Sequence, residues 1–259
     1  MTRDDLKQPK TEEPTGAAMR SDVAPEFLKL RNRPALNVGW LLFPELDQID
    51  FTGPFEVLVR VPNATMQILG TQAGPFRDHK GLILTPEMSL AEAPELDLLV
   101  VPGGPGQQQL MERPDVLDFI ARHYREGRPI FSVCTGALLC GAAGVLKGRR
   151  ATTHWSAFDL LPYFGAIAAD ERVVMDGALV TAAGVTAGID GALIVAALLR
   201  GDAAAKRIQL EIQYAPNPPF DAGQPSTAPA DVLAEVTASY AALTERRRQT
   251  AQAFAARHG

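Results

Sequence analysis

The sequence predicts an α/β fold with a mostly parallel central sheet and helices on both faces. Two observations carry this. Ala35 to Phe43 is a continuous apolar run with β character, as expected of a strand covered on both sides. Shorter runs of the same kind recur at Thr65 to Leu69, Leu96 to Val101 and Pro129 to Val133, with helical stretches between most of them, and that alternation is the mark of a parallel sheet.

The helices are read at Pro54 to Arg60, Pro114 to Glu126 and Gly136 to Leu146, the second opening on Pro114 and stopping at Gly127. Asp176-Gly177 lies between Arg172–Met175 and Leu179–Ala182, which predicts a hairpin. Ala187 to Leu199 reads as a buried helix. Beyond it come an apolar stretch, Ile208 to Tyr214, a Pro-rich excursion from Pro216 to Pro229, and a final amphipathic helix from about Ala230. Tyr214 and Phe220 make the excursion too apolar for a free linker, so it is expected to clamp onto the domain or a partner subunit. Residues 1–33 mix Lys, Glu, Pro, Thr and Asp with little apolar periodicity and read as a disordered tail, with Met19 an alternative start. One α/β domain over 34–205 and an extension over 206–259 follow.

Of 259 residues, 46% are hydrophobic and 21% charged, enough apolar material for a sizeable core. A net charge of −5 gives no footprint for nucleic acid, and the one basic run, Arg246-Arg247-Arg248, reads as a solvated helix face. The apolar runs are too short to span a bilayer and the N-terminus carries no secretory signal, so a cytoplasmic location is expected. The two cysteines, Cys134 and Cys140, form neither a disulfide framework nor a metal-binding pattern.

Cys134 stands where a buried strand ends and a small-residue helix begins, and Gly136 removes the β-carbon that would crowd such a turn. Residues at that edge of a parallel sheet project into the ligand crevice, and the positive end of the following helix is expected to lower the thiol pKa. The segment alone fits a nucleophile and a small buried hydrophobe equally well. Cys140 falls within the helix among Ala and Leu and reads as packing.

Asp50 lies at the same edge. It either caps the helix that follows or faces the crevice, where burial beside a thiolate would raise its pKa and make it a proton donor. Asp47 and Glu45 read as loop charges. The loop Val101-Pro102-Gly103-Gly104-Pro105-Gly106 is an oxyanion-hole candidate through Gly103 and Gly104, and it has neither a dinucleotide fingerprint nor a phosphate-loop lysine. Of four histidines, His79, His123 and His258 are expected to be exposed and uninvolved; His154, beside Trp155, suits a buried hydrogen-bonded role better than a catalytic one.

Taken together, Asp50-Phe51-Thr52-Gly53-Pro54-Phe55-Glu56, the loop at 101–104, Val133-Cys134-Thr135-Gly136, Arg150 to Trp155 and Gly184 to Asp190 resemble the ThiJ/PfpI branch of the class I glutamine amidotransferase-like superfamily. The resemblance runs from about Ala35 to Arg200. It implies a flavodoxin-like sandwich, Cys134 on a nucleophile elbow and a homodimer. Asp50 stands where many members have Glu, and Thr135 where some have His. Those departures, and the stretch Ile208 to Gly223, resemble the isocyanide hydratases, although Ala182-Ala183 replace expected glycines. The likeness implies a cysteine-dependent hydro-lyase that turns an isocyanide, a small-molecule substrate, into an N-substituted formamide. Cys134, Asp50 and Thr135 would carry the reaction, with no metal or organic cofactor. The same motifs occur in the amidase-like sensor domains of AraC-type regulators, which implies the alternative of a ligand-binding or redox-sensing protein. The helix-turn-helix units of such regulators do not fit the Pro-rich segment and single helix that follow Arg200.

Overall fold

The computed structural model describes residues 24–258. In chain order, α1 (Pro25–Arg31) leads to β1 (Leu36–Leu42), α2 (Gln48–Leu58) and β2 (Ala64–Gly70). The short strands β3 (Phe76–Arg77), β4 (Ile83–Leu84) and β5 (Met88–Ser89) precede β6 (Leu98–Val101), α3 (Gln107–Leu110) and α4 (Pro114–Arg125). Then follow β7 (Ile130–Val133), α5 (Gly136–Ala142), β8 (Arg150–Ala151), a 3-10 helix (Trp155–Phe164), β9 (Ile167–Ala168), β10 (Val173–Asp176) and β11 (Leu179–Ala182). Three helices, α6 (Ala187–Arg200), α7 (Asp202–Glu211) and α8 (Ala230–His258), complete the chain.

A seven-stranded sheet runs β10-β11-β7-β6-β1-β2-β5. Every neighbouring pair is parallel except β10 with β11, the hairpin around Asp176-Gly177. The strands β6, β7 and β11 are buried at every position, as the unbroken apolar runs required. On one side Trp40 packs against Phe51 and Phe55 at ring-centroid distances of 5.3 and 5.1 Å, which fixes α2 on β1.

Several expectations are corrected. The helix read as Pro54–Arg60 begins at Gln48, because Asp47 caps it by accepting the Ile49 amide (3.1 Å); Pro54 lies inside α2, not at its start. The helix read to Leu146 ends at Ala142, where Gly144 turns the chain at φ 78°. Ile208 belongs to α7, so the boundary expected at 205/206 falls within a helix. His123 is buried, with Nε2 donating to the Pro129 carbonyl (2.9 Å), and burial pushes its pKa down to about 4. Among the described residues no helix is long and apolar enough to cross a membrane.

The disordered tail expected over 1–33 is corrected for its last part. Residues 1–23, Met19 among them, lie outside the described residues, but Pro25–Arg31 is helical. Phe27 is 1% exposed, and Arg31 donates to the Leu198 and Ala197 carbonyls (3.1 and 2.9 Å), tying α1 to the end of α6. The sequence pattern of seven residues is too short to show periodicity, which is why this element was missed. If α1 is part of the core, Phe27→Ala should lower unfolding stability by about 3 kcal/mol in denaturant titration, as a buried Phe truncation does. A loose tail would leave the midpoint unchanged.

Candidate active site

The carboxyl ends of β1, β6, β7 and β11 converge on Cys134. Its amide donates to the carbonyls of Ala182 and Ala183 (3.0 and 2.9 Å), and its carbonyl accepts the Thr153 hydroxyl (2.8 Å). Held in this way between two strand ends, Cys134 adopts φ 56°, a left-handed conformation that a side-chain-bearing residue takes only when its surroundings impose it. Ala182 and Ala183 serve here without any left-handed backbone, so the glycines expected at those positions are not needed for the turn. Val185, across the crevice, is also left-handed at φ 29°.

The loop after β6 lies directly against this elbow. A β-carbon at Gly103 would sit 2.6 Å from both the Thr135 amide and its Oγ1, and one at Gly136 would collide with the Val101 carbonyl. The Gly103 amide donates to Asp50 Oδ2 (3.0 Å), and the Gly104 amide donates to Thr135 Oγ1 (3.1 Å). Both amides are therefore engaged by side chains, and the expectation that they form an open oxyanion hole is corrected. The amides that face the Cys134 sulfur are those of Val185 and Thr135.

Asp50 is not a cap; Asp47 holds that position. From the first turn of α2, Asp50 shares the inward face with Phe51, Pro54, Val57 and Leu58, and it is fully buried. Its Oδ1 has no hydrogen bond of ordinary geometry, while the Cys134 thiol interacts with the same carboxyl. Burial, and then the charge of Asp47, push the Asp50 pKa well above the usual carboxylate range, in the direction expected. The thiol moves opposite to expectation: burial, and then the charge of Asp50, push Cys134 up, and the Val185 and Thr135 amides offset this only in part. At 6% exposure, loss of water outweighs the helix terminus. Cys140, fully buried in α5, is raised to about 12 by burial alone and takes no part.

Other groups were misread. Arg247, expected on a solvated face, is 3% exposed. Its Nη2 donates to the Gly104 carbonyl (2.8 Å) and to Thr135 Oγ1 (3.2 Å). One heptad earlier on α8, Tyr240 packs edge-on to His154 and Trp155 at 5.6 and 5.9 Å. His154 bonds through Nδ1 to Ser156 (2.8 Å to Oγ), and burial followed by Arg247 lowers its pKa to about 4, so it is a neutral wall residue. No sequence signal separates Arg247 from Arg246 and Arg248; only the structure shows that it shares the inward face of α8 with Thr250 and Ala251.

A cavity of about 550 Å³ opens beside the elbow. Thr153 and Val185, which touch Cys134, border it, with His154, Trp155 and Phe158 on its wall and Gly223–Ser226 of the Pro-rich excursion at its rim. Phe220 of that excursion is 78% exposed, so the excursion touches the body at this rim without burying its aromatic residue. Among the described residues no three His, Cys, Asp or Glu side chains converge as metal ligands would. The arrangement places a thiol and a carboxyl side by side next to a cavity whose wall combines His154, Trp155 and Phe158 with the polar side chains of Asp159, Asp170, Glu171 and Arg172.

The DJ-1/PfpI family profile matches residues 37–197. The chain is 45% identical over 223 residues to the isonitrile hydratase of Pseudomonas putida, covering 86% of this chain and 98% of that protein. A ThiJ/PfpI family protein from Pseudomonas syringae, of known crystal structure, superposes with a TM-score of 0.81 at 34% identity, over 94% of this chain and 98% of that one. The HTH-type transcriptional regulator GbdR of Pseudomonas aeruginosa is 30% identical over 48% of this chain and 35% of its own length.

Because the Cys134 thiol is raised, its alkylation by iodoacetamide should climb about tenfold per pH unit from pH 7 to 9 without levelling, followed by intact mass. A plateau near neutrality would reveal a thiolate at rest and contradict this account. Cys140 should stay unmodified in the folded protein throughout.

Proposed function

The chain belongs to the DJ-1/PfpI family, and from that premise we propose that it is an isocyanide hydratase acting through Cys134. The observation that carries the reading is the buried pairing of the Cys134 thiol with the Asp50 carboxyl on a left-handed elbow. The likeness to an isonitrile hydratase along nearly that protein's whole length supports it.

An isocyanide carbon is unusual in that it accepts a nucleophile and a proton at the same atom. The Cys134 sulfur forms a bond to that carbon, and the thiol proton reaches the carbon by way of the Asp50 carboxyl, giving the thioimidate R–N=CH–S–Cys134. Water adds to the C=N carbon, one of its protons ends on nitrogen, and the other returns to sulfur as the C–S bond breaks. The products are the N-substituted formamide and the free thiol. Two lower barriers replace one higher one, and burial, which raises both the Asp50 carboxyl and the Cys134 thiol, favours the protonated forms that this addition uses. The Thr135 amide faces the Cys134 sulfur, and the His154, Trp155 and Phe158 part of the cavity wall suits the apolar substituent R.

A sensor that responds by oxidation of Cys134 is the alternative. The raised thiol disfavours it, since it is the thiolate that attacks the peroxide oxygen. We infer that the protein works in the cytoplasm as a homodimer; sedimentation should then return twice the mass of one chain.

Incubation with cyclohexyl and alkyl isocyanides should yield the matching formamides, read by NMR. Cys134→Ser should lose at least a thousandfold in rate, and Cys140→Ala should keep most of it. Wild-type protein inert toward several isocyanides would overturn the assignment.

A further inference from the structure

Arg247 reaches the reacting centre from the C-terminal helix, and the addition and hydrolysis described above leave it without a task. It is buried, yet among the described residues no carboxylate forms an ion pair with it, and its Nε has no hydrogen-bond partner. A buried guanidinium without a carboxylate is a costly way to fill space. Its docking is deliberate: on one flank Gln108 donates to Thr250 Oγ1 (3.0 Å), which donates to Glu112 (3.0 Å), and on the other Thr244 Oγ1 donates to the Ser156 carbonyl (3.3 Å). These contacts hold the Arg247 turn of α8 between α3 and the 3-10 helix.

The consequence falls on Thr135. A hydroxyl oxygen has two acceptor positions and one proton. Thr135 Oγ1 receives the Gly104 amide at 3.1 Å and Arg247 Nη2 at 3.2 Å, so both acceptor positions are filled and the proton must go to a third group. An isocyanide nitrogen offers that proton nothing, because its electron pair is held in the multiple bond to carbon. Once sulfur has added, the thioimidate nitrogen carries a free lone pair. A donor committed in advance therefore meets an acceptor only after the S–C bond has formed, which is the kind of interaction that accelerates a step instead of tightening substrate binding.

We propose that Arg247 is a positioning residue of this site: by occupying the second acceptor position of Thr135 Oγ1 it commits the Thr135 hydroxyl to donate to the thioimidate nitrogen, and so speeds hydrolysis of the covalent intermediate. The proposal rests on isocyanide hydration being the reaction. The hydroxyl polarises C=N toward the incoming water and follows the nitrogen as it is protonated by that water; Thr135 keeps its own proton at the end of the cycle.

The test uses the full-length protein and cyclohexyl isocyanide, with rapid quenching and intact-mass measurement of the Cys134 adduct. In Arg247→Met, kcat should fall at least tenfold with no rise in KM, and the adduct should build up in the steady state. Arg247→Lys, which keeps a donor, should recover part of the rate and show less adduct. A folded Arg247→Met with wild-type kcat, or one that loses rate without accumulating adduct, overturns the proposal, since a merely structural role slows both halves of the reaction. Should Arg247→Met not fold, Thr135→Val decides: it should accumulate adduct, and hydrolysis at the wild-type rate would sink the idea. Wild-type protein that forms neither adduct nor formamide removes the isocyanide reading and this proposal with it. Normal wild-type turnover with no adduct in the variants removes this proposal alone.

Discussion

The close crossing of two chain segments at the edge of the sheet is the constraint on which the rest depends. Because β6 and β7 are parallel neighbours, the loop leaving one must pass the elbow leaving the other, and side chains at Gly103 or Gly136 would hold them apart. With both glycines present the segments touch. Gly103 then reaches Asp50, Gly104 reaches Thr135, and the Gly104 carbonyl is left for Arg247. Asp50, Cys134 and the C-terminal helix are thus registered to one another through one loop, whose Gly103 and Gly104 amides act as internal braces. A β-carbon at either glycine would disturb three polar contacts at once, which no single side-chain loss in the site would do.

The same closeness settles the electrostatics. The sulfur is nearly and Asp50 fully removed from water, so each group loses by becoming charged; the Asp50 charge pushes the thiol further up, while the hydrogen bond from Cys134 draws Asp50 part of the way back. The helix terminus behind Cys134 and the facing amides act in the other direction, but a seven-residue helix cannot outweigh a dry surrounding with an acid in it. Sequence reasoning weighed the helix and not the burial, and so had the sign of the thiol shift reversed while having that of Asp50 right.

What was legible in the sequence follows a physical division. Strands buried on both faces announce themselves as unbroken apolar runs, and all six strands of four or more residues were readable within two residues. The pairing of Asp50 with Cys134 was legible only to the extent that both sit after core strands. That Asp47 takes the cap and frees Asp50 to face inward depends on where α2 starts, and Pro54 obscured that start by resembling a first-turn proline. Arg247 was illegible for a different reason: three consecutive arginines point in three directions from a helix, and charge alone does not tell which one is turned inward. Only the packing of α8 between α3 and the 3-10 helix selects it.

That packing also bears on how the site tells one substrate from another. The cavity wall is drawn from separate parts of the chain: Thr153 and the aromatic residues after it, Val185 opposite, and Gly223–Ser226 at the rim, with Tyr240 of α8 behind His154 and Trp155. Cys134, Asp50 and Thr135 lie beyond that wall, next to Thr153 and Val185, and are fixed by contacts with the backbone. Under the proposed function, chemistry and selectivity are therefore carried by different layers. The inner layer is braced by the sheet and does not depend on the substituent; the outer one is built from a 3-10 helix, a Pro-rich turn and a helix face, whose side chains can differ without moving the sulfur. A change of substituent preference is accordingly expected at Trp155, Phe158 or the 223–226 turn, and a change of reaction only where the loop meets the elbow.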